Sequence, residues 1–100
     1  MDEPNHKPSL FISIPFDNSV WERGASIDAW MTKLKLERIG SGAGGGERDL
    51  EYEAPDIETS KEIVIVLVQA FPWIIRVHWD DYEQYPGCSL LLFGKESDGF

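Results

Sequence analysis

The chain has 100 residues and a formal charge of −9, from nine Lys plus Arg against eighteen Asp plus Glu. That length supports one domain, and 42% hydrophobic residues are enough to give it a single core. The charge argues against a non-specific binder of nucleic-acid backbone or of an anionic membrane, and favours a basic protein partner or a metal.

Residues 1–8, with Pro4 and Pro8, read as a loose terminus. Residues 10–16 follow as a strand, with Leu10, Ile12, Ile14 and Phe16 on one face and Phe11 and Ser13 on the other. Pro15, without an N–H, marks its end or an edge position, and 17–19 form a turn. Ser26 is a suitable helix N-cap, with Asp28 in the first turn. Ile27, Trp30, Met31 and Leu34 then keep helical spacing. A short strand is expected over 36–39. The glycine-rich segment 40–46 reads as a mobile hairpin loop into a strand over 47–54.

Two starts compete for the second helix, one capped by Asp56 and one by the capping-box pattern from Thr59 to Glu62. Ile57, Val64, Leu67, Val68 and Phe71 share one helical face. The β-branched run Ile63-Val64-Ile65-Val66 argues for strand, but the caps and the length up to Pro72 decide for a helix. Residues 73–79 form a strand, with Ile75, Val77 and Trp79 on one face and Ile74, Arg76 and His78 on the other. Residues 80–87 are an acidic and aromatic loop, 89–93 a last strand, and 95–100 a loose tail. The expected architecture is α+β: a ferredoxin-like split β-α-β sandwich, with an antiparallel sheet, two helices on one face and an extra C-terminal strand. Residues 1–100 thus form a single domain. Many functions share that architecture, so it selects none.

The function must come from the surface the pattern builds. In residues 47–54, Glu47, Asp49, Glu51 and Glu53 alternate with Arg48, Leu50, Tyr52 and Ala54. A strand therefore lines one face with four acids. Alternate strand residues lie roughly 6–7 Å apart, too dispersed to converge on one ion, so no metal site is expected. The glycine segment has no P-loop lysine, no helix directly after it, and acids where phosphate would sit, so no phosphate or nucleotide cofactor is expected.

The stretch from Trp79 to Tyr85 adds Asp80, Asp81 and Glu83 to the aromatics Tyr82 and Tyr85, a composition typical of protein interfaces. The partner-binding residues are accordingly Glu47, Asp49, Glu51, Glu53, Asp80, Asp81, Tyr82, Glu83 and Tyr85. The leading expectation is a small acidic interaction module, an inhibitor or immunity-type protein that covers a basic surface of a partner protein. A ligand-sensing or oligomeric regulatory domain, self-associating through the open sheet face, is the first alternative. A small enzyme using His78, oriented by Asp80 or Asp81 with Cys88 or Ser89 as nucleophile, is the second.

The lone Cys88 excludes an internal disulfide framework and suits a reducing compartment. The start of the chain carries no basic-then-apolar leader pattern. The longest apolar runs, 63–68 and 71–75, are too short for a bilayer. The expected location is cytoplasmic.

Overall fold

The computed structural model describes residues 8–81 and 90–95. The elements are β1 (Ser9–Pro15), α1 (Val20–Lys33), β2 (Arg38–Gly44), β3 (Glu47–Glu53), α2 (Ile57–Ala70), β4 (Arg76–Asp80) and β5 (Leu90–Phe93). The strands make one five-stranded sheet in the order β2-β3-β1-β4-β5, antiparallel at every pairing. The fold is α+β, with both helices contributing to the core on the sheet. The element order βαββαββ is not the classic βαββαβ order of a ferredoxin-like fold, because β5 continues the sheet beyond β4.

Alternation along the strands creates the two sheet faces. Leu10, Ile12 and Ile14 from β1, Leu50 and Tyr52 from β3, and Val77 and Trp79 from β4 are all buried. They form one cluster with Val20, Ile27 and Met31 of α1 and Val64 and Leu67 of α2. Each fully buried aliphatic side chain there contributes about 1.5–3 kcal/mol relative to exposure. The indole N–H of Trp79 donates to the Pro55 carbonyl at 3.0 Å, so its polar atom is paired inside this core.

Three elements depart from expectation. Helix α1 begins at Val20, well before Ser26. Its start is fastened by Asp17, whose carboxylate accepts from the Ser19 amide at 2.9 Å and from Arg23 at 2.8 Å. Val20, Gly24, Ile27 and Met31 are its buried positions, whereas Leu34 is the C-cap and is exposed. Gly24 belongs to that stripe because Arg48 crosses it. A Cβ on Gly24 would sit 2.6 Å from an Arg48 guanidinium nitrogen, and that guanidinium lies 4.6 Å from the centre of the Trp21 ring.

The second departure is β2, expected over 36–39 with a glycine loop after it. The strand runs instead from Arg38 to Gly44, and the reversal is confined to Gly45 and Gly46, with φ of +60° and +80°. Two consecutive positive φ values match the twist of a tight two-residue hairpin. The third departure is β4, which begins at Arg76 rather than at residue 73. The helical reading of α2 agrees with the structure, and Asp56 is its cap, accepting from the Thr59 amide at 3.1 Å. Val64 is buried while Ile65 and Val66 are exposed, so the β-branched run follows helical and not strand periodicity.

Candidate functional site

The sheet face opposite the helices carries the polar half of each strand. The β1–β3 register sets Phe11 against Glu51, Ser13 against Asp49 and Pro15 against Glu47. On the other side of β1, Ser9 faces Asp80, Phe11 faces His78 and Ser13 faces Arg76. Beyond β3, Gly40, Gly42 and Gly44 pair with Glu51, Asp49 and Glu47. Among the described residues, five carboxylates and one guanidinium thus share the face: Glu47, Asp49, Glu51, Glu53 and Asp80, with Arg76.

Local partners keep this crowding of like charge tolerable. The Ser13 hydroxyl donates to Asp49 at 2.7 Å, and the Ser9 hydroxyl donates to Glu51 at 2.8 Å. Arg76 grips Glu47 through both terminal nitrogens, at 2.6 and 3.2 Å, the bidentate geometry that a guanidinium makes with a carboxylate. Its Nε also donates to the Lys95 carbonyl at 2.9 Å. The Arg76 side chain is therefore held from both β3 and the end of β5.

Between these groups lies a cavity of about 320 Å³, lined by Phe11 and Ser13, by Glu47 and Asp49, and by Arg76, His78 and Asp80. A second hollow of about 210 Å³ lies on the β2 side of the acid row, against Phe11, Ser41, Gly42, Asp49 and Glu51. Glycines make that side accessible. No atom lies within 4 Å of where a Cβ would stand on Gly42 or Gly44, so the acids have no side-chain wall there. Asp80 differs from the other acids. Only 9% of it is exposed, and its Oδ1 is buried with no hydrogen-bond partner among the described residues. Its cross-strand neighbour Ser9 donates its hydroxyl hydrogen to Glu51 instead.

The chain has no match among protein-family models, curated proteins or solved structures. The chemistry of the face is then the guide. Of the acids expected to bind a partner, Glu47, Asp49, Glu51, Glu53 and Asp80 come together on the face opposite the helices. Asp81 does not join them. It borders a different hollow, with Pro8, Ala54, Pro55 and Trp79. Tyr82, Glu83 and Tyr85 lie outside the described residues, as do Cys88 and Ser89. Among the described residues, no three His, Cys, Asp or Glu side chains are placed to hold a metal ion. No described helix is long and apolar enough to cross a membrane.

The sequence sets Phe11 and Ser13 beside the acid row, as the structure has them, but neither they nor Ser9, Arg76 and the alternating glycines of β2 are among the expected partner-binding residues. The available signal was Gly45-Gly46 read as a two-residue turn. That turn places Gly44, Gly42 and Gly40 opposite Glu47, Asp49 and Glu51 directly.

Proposed function

We propose that this protein is a small acidic interaction module whose open sheet face covers a basic surface of a partner protein, in the manner of an inhibitor or immunity-type protein. The observation that carries this reading is the imbalance on that face, among the described residues five carboxylates against the guanidinium of Arg76. Charge complementarity on this scale steers a basic partner toward the face and disfavours acidic competitors. Phe11, at the centre of the face, supplies apolar surface to be desolvated on contact. Without β5, the remaining strand order β4-β1-β3-β2 supports reading the scaffold as a split β-α-β unit with one strand added at its edge.

The test begins with capture of the partner from the native host. Its affinity is then measured by calorimetry for the wild-type chain and for Glu51→Lys. Reversing one central charge is expected to weaken binding about tenfold or more at low salt, with a smaller difference at high salt. Equal affinity of the two proteins at low salt would remove the basis of the reading.

A further inference from the structure

We propose that the cavity between Phe11 and Asp80 receives a guanidinium group, presented as an arginine side chain of the basic partner. The inference rests on the reading of this face as a surface for such a partner, and assigns the chemistry that enters one of its hollows.

Three observations converge there. The first is Asp80, whose side chain lines the cavity and whose buried Oδ1 lacks a hydrogen-bond donor among the described residues. A buried carboxylate oxygen without a donor is costly, and native structures rarely keep one without a use. The second is local charge. Three carboxylates line the cavity, Glu47, Asp49 and Asp80, and Arg76 is committed to Glu47 by two hydrogen bonds. Asp49 and Asp80 therefore leave an excess of negative charge facing the hollow. The third is Phe11, which gives the cavity aromatic surface.

A guanidinium meets all three demands. It is flat and weakly hydrated, it carries five N–H donors on its edge, and its plane stacks on aromatic rings. A lysine ammonium is a compact and strongly hydrated charge, so it gains less from Phe11 and loses more on entering. A divalent ion would need convergent ligands, and no such set of three exists among the described residues. The cavity of about 320 Å³ accommodates the end of an arginine side chain.

The experiment is an NMR titration of the full ¹⁵N-labelled chain with three probes: the capped peptide Gly-Arg-Gly, its lysine counterpart, and agmatine. The arginine peptide is expected to shift the amides of Phe11, His78 and Asp80 and to saturate. The lysine peptide should bind at least about fivefold more weakly. Asp80→Asn should weaken the arginine peptide by about tenfold, the loss of one charge-assisted hydrogen bond. Glu53→Gln, on the same face but outside the cavity, should change it less than twofold. Phe11→Leu provides a second variant that leaves every carboxylate in place, and it should reduce the preference for arginine over lysine.

Equal losses in Asp80→Asn and Glu53→Gln, or no preference between the two peptides, would overturn the proposal in favour of diffuse attraction. Agmatine binding more than tenfold tighter than the arginine peptide would overturn the assignment to a protein side chain, and would point to a free small guanidinium. These outcomes are separable from the broader reading. If Glu51→Lys still abolishes partner binding while the cavity ignores arginine, the face stands and the pocket falls.

Discussion

Replacing Asp80 by Asn should make the isolated protein more stable. Asp80 is only 9% exposed, and its Oδ1 has no hydrogen-bond partner among the described residues. An unsatisfied buried acceptor costs about 1–3 kcal/mol, and more when it is charged. Asn keeps the shape and still leaves an unpaired polar atom there, but it removes the charge, so the charge part of that cost, about 1–2 kcal/mol, is the expected gain. For a domain of this size that corresponds to a rise in Tm of about 5–15 °C. The assay is thermal unfolding by circular dichroism, with urea unfolding as a check that the cooperativity is unchanged. Lowering the net charge of an acidic protein is itself stabilising, so Glu53→Gln serves as the control. It removes one charge from the same face outside the cavity and should shift stability by less than about 0.5 kcal/mol. A Tm for Asp80→Asn at or below that of Glu53→Gln would show that Asp80 is satisfied in the free protein. The argument that its carboxylate awaits a cation would then fail. The expected pattern, stability gained as binding is lost, is the usual mark of a residue kept for function.

Further outcomes follow from the scaffold. Gly94 has φ of +92°, and a Cβ there would lie 2.3 Å from the Ile75 carbonyl oxygen and 2.7 Å from Arg76 Cβ. Gly94→Ala should therefore cost about 2 kcal/mol or more in urea unfolding and release Arg76 from its anchorage beside Lys95. Tyr52 is buried and donates its hydroxyl to Asp28, and burial together with that carboxylate pushes its pKa far up. Tyr52→Phe should lose about 1–2 kcal/mol at neutral pH. Because the folded protein holds the phenol proton, the wild type should lose stability as pH rises above the ordinary value of 10.0, and the variant should lack that component. Asp56 has its carboxyl pKa lowered by the Thr59 amide and hydroxyl. Its contribution is present above the ordinary value of 3.8 and is lost as pH falls through the lower folded value. The difference in Tm between wild type and Asp56→Ala should accordingly be constant near neutrality and close in acid.

The parts of the fold legible in the sequence were those whose periodicity faced no competitor, or whose caps outweighed one. The alternation from Glu47 to Ala54 places Arg48, Leu50, Tyr52 and Ala54 in the interior and the acids outside, as the structure has them. Helix α2 was legible because its caps outweighed the strand preference of the β-branched run, and tertiary packing of Val64 and Leu67 agrees. The start of α1 was obscured because the Ser19 side chain makes no cap hydrogen bond, and the fastening comes from the Asp17–Arg23 pair instead. Glycines have low strand preference, so the residues 40–44 do not themselves read as a strand, and only the Gly45-Gly46 turn hints at one. The pairing of β2 with β3 imposes the strand. The site divides in the same way. The charges were visible as charges, but the burial of Asp80 depends on the placing of β4 beside β1, a contact between distant residues that no local pattern encodes.

The proposed function turns on which surface meets the partner. Carbodiimide labelling of carboxylates, read by mass spectrometry with and without the captured partner, measures that directly. The partner is expected to protect Glu47, Asp49 and Glu51 while Glu22 and Glu62 on the helices stay as reactive as in the free protein. Protection of the helical acids, with the β3 acids still labelled at their free rate, would contradict it.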